Sequence, residues 1–183
     1  LPPRVAERWR GHHNAVLQEL LIATEYWLAL YADPFGDGIL RPVRGADVFV
    51  LGEDGDCSRS ADFGELCIAG PMVTPGYVHV SGSGSAQADA FCEAQGRRYF
   101  RTRDFVYRVP GGLVYKGRAD MMAKEKGKWV DMLAVEDEIQ RLQGVHAAKV
   151  IPDPYKEHYH AFVHLAGDCS LGHVLPALRT AIP

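Results

Sequence analysis

One stretch, residues 99–139, most constrains what this sequence can fold into. Within residues 99–109, aromatic or apolar side chains alternate with polar ones, and Phe105, Tyr107 and Val109 fall on one face. A Pro-Gly-Gly turn follows at residues 110–112, and the chain returns over residues 113–116. Two alternating segments around a glycine-containing turn predict a β-hairpin.

A helix is predicted shortly after this hairpin. Gly-Arg-Ala-Asp at residues 117–120 predicts a second turn, and a strongly charged run follows at residues 124–128. Asp131 marks the start of the helix, because a carboxylate there can accept hydrogen bonds from the first free backbone N–H groups. The apolar face of this helix consists of Leu133, Val135, Ile139 and Leu142.

The sequence before residue 99 predicts mainly short strands. Residues 3–10 have helical spacing, residues 16–22 fit an inner strand, and residues 31–44 are typical of a loop. Strands are predicted at residues 46–51, 63–69 and 73–80, and this regular spacing favours a small barrel or sandwich. A flexible Ser-Gly connector follows at residues 81–85. Residues 86–91 can supply a short helix that the family resemblance described below implies.

A small α+β arrangement is predicted after residue 139. Residues 145–151 and 159–165 are expected to be strands, and residues 170–181 a helix with Leu171, Val174, Leu175 and Leu178 facing inward. His158, His160 and His164 would share one face of the second strand. They fit either a metal site or an exposed polar face.

Composition and charge exclude several classes of protein. The chain has 183 residues, 47% of them hydrophobic, which is typical of a globular protein with one good core or two small ones. Its 20 basic and 23 acidic residues give a net charge of −3, which argues against a nucleic-acid or anionic-membrane partner. No run approaches the roughly 20 apolar residues of a membrane helix.

The four cysteines give a further indication. Cys57, Cys67, Cys92 and Cys169 are widely spaced and form no CxxC pair, so neither a zinc site nor a disulfide framework is predicted. This usage fits a reducing compartment, and we expect a cytoplasmic location.

Four segments, taken in order, carry a resemblance to a known family. They are Ala-Thr-Glu at residues 23–25 with Arg-Pro at 41–42, residues 64–77, residues 102–120, and the run that contains Lys124, Gly127, Val130, Asp131 and Glu136. Together they resemble the adenylate-forming superfamily. That family includes adenylation domains of nonribosomal peptide synthetases, acyl- and aryl-CoA ligases and luciferases.

The resemblance implies an α+β fold in three parts. Residues 1–45 would be the end of a large α/β core, with a parallel strand before the Ala-Thr-Glu loop. Residues 46–119 would form a distorted antiparallel β-barrel, and residues 120–183 a small C-terminal α+β subdomain that rotates about Asp120 as a hinge.

The resemblance also implies a nucleotide site. Thr24 would lie beside the α-phosphate and Glu25 would ligate Mg²⁺, a hard cation that prefers carboxylate oxygen. Asp104 would accept hydrogen bonds from both ribose hydroxyls, and Arg118 would approach the ribose and phosphates with its guanidinium. From the residues alone, Thr24 and Glu25 could equally be a loop pair, and Asp104 a solvated strand carboxylate.

The sequence departs from the family at five positions. Leu21 stands where the family has an adenine-stacking aromatic, and Ile22 and Arg103 stand where it has glycine. Ile22 cannot easily adopt glycine backbone geometries, and Arg103 either blocks a ribose or points to solvent. Near Gly127, Lys126 and Trp129 replace the flanking arginines, so this stretch could also be a solvated charged run.

Two hypotheses of function stay open at this point. In the first hypothesis, the chain is part of an adenylation domain that activates an amino, keto or aryl acid with ATP and Mg²⁺. The domain then passes the acyl group to a thiol such as a carrier-protein pantetheine. Its partners would be the N-terminal part of the same domain, a carrier protein or neighbouring synthetase domains. The second is a noncatalytic pseudo-adenylation domain that serves as an interaction module.

Whether this chain is an enzyme by itself is uncertain from its sequence. The family's Ser/Thr- and Gly-rich phosphate loop and its C-terminal catalytic Lys are both expected to lie outside these 183 residues. Without them the charge that develops in phosphoryl chemistry is not stabilised, so no catalytic residue is assigned within the chain.

Overall fold

The computed structural model describes residues 9, 11, 16–33, 38–77, 88–125, 128–153 and 159–181. These residues belong to two compact units, one that ends at Asp120 and one that begins at Met121. The expected N-terminal helix lies almost wholly outside the described residues. The Ser-Gly connector, Gly127 and His158 also lie outside them.

The first unit is built on one antiparallel sheet. Its strand order is β1-β2-β3-β8-β7-β5-β4, and β6 pairs with β7. The strands are β1 (Leu20–Ala23), β2 (Trp27–Ala32), β3 (Leu40–Pro42), β4 (Asp47–Leu51), β5 (Phe63–Ala69), β6 (Phe91–Ala94), β7 (Arg97–Val109) and β8 (Gly112–Arg118).

The predicted hairpin is confirmed as β7 and β8. Val109 pairs with Gly112 at the turn, and the pairing continues to Asp104 opposite Arg118. The face that carries Phe105 and Tyr107 is only partly covered. The ring of Phe63 packs there, with its centroid 5.6 Å from that of Phe105 and 4.5 Å from that of Tyr107. The opposite face of β7 points into the core, because Val106 there is fully buried.

β5 is the most buried strand and explains one glycine of the family-like segment. Apart from its first residue, every residue of β5 is buried, as expected for a strand paired on both edges. A Cβ on Gly64 would overlap the backbone carbonyl of Leu51 on β4. Only glycine allows these two strands to approach so closely.

The predicted distorted β-barrel is not a closed barrel. Within the described residues the sheet is open, with β1 at one end and β4 at the other. β1 pairs antiparallel with β2, whereas a parallel strand was expected there. A parallel pairing needs a partner strand from a distant segment, and the short turn at residues 24–26 returns the chain directly onto β1.

Three local expectations before residue 99 also fail. Residues 31–44 contain the end of β2 and all of β3, whereas a loop was predicted. The described residues 73–77 form turns and irregular chain where a strand was expected, and residues 88–90 form one 3₁₀ turn. β3 is only three residues long and is held by Leu40 opposite Leu113, a contact that no local pattern reveals.

The second unit contains two hairpins and two helices. Its elements are β9 (Met122–Glu125), β10 (Lys128–Asp131), α1 (Met132–Gln140), β11 (Val145–Pro152), β12 (Tyr159–Leu165) and α2 (Leu171–Ala181). The predictions of α1, β11, β12 and α2 are confirmed. The charged run is a hairpin rather than irregular chain, and Lys124 lies 5.5 Å from the ring of its cross-strand partner Trp129.

The helix faces differ from those predicted. On α1, Met132, Glu136 and Ile139 are buried, whereas Leu133 is exposed. Glu136 is tolerated inside because it accepts hydrogen bonds from the Val150 backbone N–H at 2.8 Å and from Lys149 at 2.9 Å. On α2, Val174 is buried, but Leu171 and Leu175 are exposed.

The start of α1 gives a stability prediction. Asp131 adopts an extended backbone as N-cap, and its carboxylate accepts the Leu133 N–H at 2.9 Å. We expect Asp131→Ala to lower the free energy of unfolding by about 1 kcal/mol. Asp131→Asn should stay close to wild type in urea unfolding, because Asn caps equally well. Equal losses in both variants would contradict the capping role.

Candidate functional site

A cavity of about 700 Å³ in the first unit is lined by several polar and charged side chains. Glu25 comes from the β1–β2 turn, Tyr77 from the irregular segment after β5, and Thr102 and Arg103 from β7. Arg118 closes the set from the end of β8. Elements that are far apart in sequence therefore meet around one space large enough for a small-molecule ligand.

The β1–β2 turn presents a carboxylate to this cavity. Thr24 donates its hydroxyl to Glu25 Oε2 at 2.8 Å, and the Tyr77 hydroxyl donates to Oε1 at 3.1 Å. The Thr24 hydrogen bond lowers the pKa of Glu25 against a small opposing effect of burial, and Tyr77 lowers it further. Glu25 is therefore ionised at neutral pH and held in a fixed orientation.

Backbone contacts keep this turn in place. The Thr74 N–H donates to the Glu25 carbonyl at 2.7 Å, which ties the Tyr77 segment to the turn. Trp27, just after it, has a φ of 48°, a left-handed value unusual outside glycine. Ile22 has no positive φ and lies at an irregularity in the β1–β2 register, so the expected conflict with a glycine geometry does not arise there.

The second charged pair lies where β7 and β8 face each other. Asp104 and Arg118 are direct cross-strand neighbours, and Arg118 Nη1 lies 3.6 Å from Asp104 Oδ1. Arg118 also donates through Nε to Asp120 at 3.1 Å. The Asp104 side chain is only 5% exposed, whereas that of Arg118 is 47% exposed. The guanidinium therefore covers a carboxylate that is otherwise enclosed by protein.

Burial changes the acidity of Asp104. It raises the pKa of this carboxyl to about 6, against the opposing charge of Arg118 and hydrogen bonds from Thr102 and Tyr26. Burial and the nearby Asp104 raise the pKa of Tyr26 in turn, so its phenol stays protonated. A carboxyl that keeps an enclosed charge beside a cavity is typical of a functional site.

Arg103, next to Asp104, occupies a glycine-like backbone. Its φ is 62°, and the register of β5 against β7 shifts beside it. Glu65, which is buried, accepts the Arg103 N–H at 2.9 Å and the Arg101 guanidinium at 2.9 and 2.6 Å. The Arg103 side chain is exposed and lines the cavity. Glu65 and Arg101 thus stabilise the bend that orients Asp104.

The left-handed backbone at Arg103 gives a second prediction. We expect Arg103→Gly to be more stable than Arg103→Ala by about 1 kcal/mol, because only glycine adopts this φ without strain. Val114 is an exposed β8 position without a positive φ. There we expect the opposite order, with Val114→Ala more stable than Val114→Gly. Urea unfolding measures both differences, and the same ranking at both positions would contradict the strain.

The donors present fit a magnesium nucleotide at this cavity. Glu25 is an ionised carboxylate with oxygen lone pairs beyond its two hydrogen bonds, which suits a hard cation. Arg118 offers a half-exposed guanidinium of the kind that binds phosphate oxygens. Among the described residues, no three His, Cys, Asp or Glu side chains converge into a metal cluster. A cation here would therefore need oxygens from its ligand or from water.

The structure brings the residues of the expected site together only in part. Glu25 and Arg118 line one cavity. Thr24 does not line it but donates a hydrogen bond to Glu25, and Asp104 lies behind Arg118. Asp120 contacts Arg118 but is not part of the lining. His160 and His164 are both on β12, and His160 pairs with Asp153 at 2.9 Å.

Sequence reasoning assigned no site role to Tyr77, Glu65 or Arg101. Pro75-Gly76-Tyr77 and Gly64-Glu65 both lay in segments that resemble the family, and that was the available signal. Tyr26, which also lines the cavity, is buried, and its ring lies 6.0 Å from that of Phe100.

Known synthetases and ligases are similar to this chain in sequence. Surfactin synthase subunit 3 of Bacillus subtilis is 30% identical over 135 residues, which cover 72% of this chain and 10% of that protein. The D-alanine--D-alanyl carrier protein ligase of Lacticaseibacillus rhamnosus is 30% identical over 61% of this chain and 22% of that protein. This chain thus spans only a fraction of these relatives. No protein-family model matches it.

Solved structures show the same fold. The O-succinylbenzoate coenzyme A synthetase of Bacillus subtilis, solved with AMP, aligns over 98% of this chain and 37% of its own, with a TM-score of 0.74 and 20% identity. An anthranilate CoA ligase solved with anthranoyl-AMP aligns over 99% of this chain and 35% of its own, with a TM-score of 0.73 and 18% identity. In the described part of the chain, no helix is long and apolar enough to cross a membrane.

Proposed function

This chain belongs to the adenylate-forming superfamily, and we propose that it is the C-terminal part of a domain that activates a carboxylic acid with ATP. The acid oxygen attacks the α-phosphate, pyrophosphate leaves, and the acyl group of the resulting adenylate passes to a thiol such as carrier-protein pantetheine. The observation that carries this proposal is the meeting of Glu25 and Arg118 at one cavity, with Asp104 directly behind Arg118.

Each of these residues has a role that its surroundings support. Thr24 and Tyr77 orient Glu25, which would hold Mg²⁺ through its carboxylate oxygens. Arg118 binds phosphate or ribose oxygens. Because it covers Asp104, its side chain has to turn away before ribose hydroxyls can reach that carboxylate. Magnesium, when bound, neutralises charge on the phosphates. Asp120 serves as the hinge that precedes the second unit.

The partner we propose for the first unit is the N-terminal part of the same domain. The β1–β2 hairpin exposes Leu20, Ile22, Trp27 and Tyr31, all large and apolar, and the relatives extend far beyond the length of this chain. An apolar sheet face of this kind marks a contact surface. In the complete domain, residues 1–45 then join the larger α/β core and residues 46–119 the barrel-like part. A carrier protein and a cytoplasmic location stay predictions.

The noncatalytic alternative is not favoured. Surfactin synthase subunits and carrier protein ligases are among the relatives, and their names describe synthesis and ligation. The alternative was motivated by the departures at Leu21, Ile22, Arg103 and Trp129. Of these, Ile22 has no positive φ, the left-handed backbone of Arg103 is held by Glu65, and Trp129 lies against Lys124.

A titration calorimetry experiment tests the nucleotide site. We expect the complete domain to bind ATP with Mg²⁺ with a Kd between about 1 μM and 1 mM. Arg118→Ala should weaken this binding roughly tenfold, because one charge-assisted contact to phosphate is lost. Arg59→Ala is the matched control, since that arginine is exposed and pairs with Asp54 and Asp56 away from the cavity. No detectable binding by the folded domain would refute the proposal.

A further inference from the structure

Three of the four cysteines lie in the first unit, and two of them touch. Cys67 on β5 and Cys92 on β6 have their Sγ atoms 3.8 Å apart. Cys67 is completely buried, and Cys92 is half-buried. Both pack in a small cluster with Phe49 and Tyr99, and Cys57 packs against the same cluster. Two thiols in van der Waals contact, one of them reachable from solvent, make a candidate redox pair.

The two thiols have different acidities. When Cys92 loses its proton, the Cys67 thiol donates a hydrogen bond to the thiolate, which lowers the pKa of Cys92 against the opposing effect of burial, and the charge of Arg101 lowers it further. That hydrogen bond and burial raise the pKa of Cys67. Cys92 is therefore the nucleophile at neutral pH, and Cys67 keeps its proton until a later step.

We propose that Cys67 and Cys92 form a peroxide-oxidisable dithiol that closes into a disulfide between β5 and β6. In the first step the Cys92 thiolate attacks one oxygen of hydrogen peroxide, so the O–O bond breaks, hydroxide leaves and Cys92 becomes a sulfenic acid. In the second step the Cys67 sulfur attacks the Cys92 sulfur, the S–O bond breaks, and the departing hydroxide takes the Cys67 proton as water. Overall, two thiols are oxidised and one peroxide is reduced to two waters.

Closure of the disulfide requires β6 to move, because β7 pairs with β5 on one edge and with β6 on the other and so lies between the two strands that carry the cysteines. A disulfide bond is about 2.05 Å long, so the two sulfurs must approach by roughly 1.8 Å from their present separation. Cys92 belongs to a strand of only four residues that follows a 3₁₀ turn, and it can move more easily than the central strand β5. Cys67 lies two residues after Glu65, which holds Arg101 and Arg103, so the bond forms close to the bend that orients Asp104.

Peptide mapping of the reduced 183-residue chain after hydrogen peroxide treatment tests the proposal. Residues 60–97 contain no internal Lys or Arg, so trypsin leaves Cys67 and Cys92 in one peptide, whereas Cys57 falls in residues 45–59 and Cys169 in residues 157–179. After free thiols are alkylated, we expect peptide 60–97 to be unalkylated and lighter by two hydrogen atoms than its reduced form. Dithiothreitol should restore both alkylation sites.

Controls separate this pair from general oxidation. Cys169→Ser and Cys57→Ser should leave the mass change intact, and Cys67→Ser should abolish it and drive Cys92 to sulfinic acid. Oxidation of the chain in urea should give mixed pairings, because the fold no longer holds the two sulfurs together. The proposal is overturned if native oxidation joins peptides 45–59 and 60–97. It is also overturned if Cys92 is oxidised while Cys67 remains alkylatable, or if neither thiol reacts.

Discussion

Asp104→Asn is expected to stabilise the chain at about pH 7.5 by up to about 3 kcal/mol, although it removes a charged member of the candidate site. The carboxyl has an ordinary pKa of 3.8, and burial raises it to about 6. Its ionisation in the folded protein therefore opposes folding. An Asn amide keeps a carbonyl oxygen for Arg118 and Tyr26 and carries no charge, so the enclosed site loses its main desolvation cost.

The sign of the pH dependence follows from the same pKa. Between pH 3.8 and about 6 the folded protein holds a proton on Asp104 that the unfolded chain has released. The free energy of unfolding therefore falls as the pH rises through this window, and the full loss remains above it. Asp104→Asn should flatten this slope, so its advantage over wild type should grow from near zero at about pH 4 to its maximum at about pH 7.5.

Urea unfolding of both proteins at several pH values measures this difference. Asp47→Asn is the matched control, because Asp47 is an aspartate of the same sheet whose carboxylate accepts hydrogen bonds from Arg97 and Tyr99 at 2.8 Å. Its side chain is 44% exposed, and we expect a small loss of stability instead of a gain. If Asp104→Asn destabilises the chain at pH 7.5, then Asp104 is not held as a costly buried charge.

The same substitution should strongly reduce activity in the complete domain. If Asp104 accepts hydrogen bonds from both ribose hydroxyls, Asn can replace only one acceptor and brings an amide donor against the other hydroxyl. A hydrogen bond to a charged group contributes about 1.5–3 kcal/mol, so we expect kcat/KM for acid-dependent ATP–pyrophosphate exchange to fall roughly 10- to 100-fold. The KM for ATP should rise, because the ribose contact exists before reaction.

Two comparisons make this exchange experiment decisive. Asp47→Asn should retain exchange close to wild type, because that residue does not line the cavity. AMP competition should show the same weakening in Asp104→Asn as ATP does, since both carry the ribose. Unchanged exchange in a folded Asp104→Asn domain would remove Asp104 from the nucleotide site while leaving Glu25 and Arg118 to be tested separately.

The parts of the fold that the sequence predicted are those with local signals. Pro-Gly-Gly set the β7–β8 turn, and Asp131 set the first residue of α1. β3 was missed because one of its pairing partners is distant, with Leu40 opposite Leu113. The burial of α1 was misjudged because a charged residue, Glu136, takes an inside position through two partners on β11 that no periodicity reveals.

The sequence predicted only those residues of the candidate site that lie within motifs of the family. Resemblance singled out Glu25 and Asp104, but the side chains that orient them come from far along the chain. Tyr77 reaches Glu25 across 52 positions, and Glu65 reaches Arg101 across 36. Whether Asp104 was buried or solvated could not be decided from its strand, because the answer depends on the guanidinium of Arg118 from the next strand.

The indole of Trp27 is 73% exposed and lies two residues after Glu25, on the hairpin that carries the exposed apolar face. An indole surrounded by water emits at longer wavelength than one packed in protein, so this side chain is a native optical label for its surroundings. When a neighbouring polypeptide covers the hairpin, the emission of Trp27 shifts to shorter wavelength. Its indole also becomes less accessible to a soluble quencher. With Trp9 and Trp129 replaced by Phe, assembly at this face can therefore be followed in solution without attaching a dye.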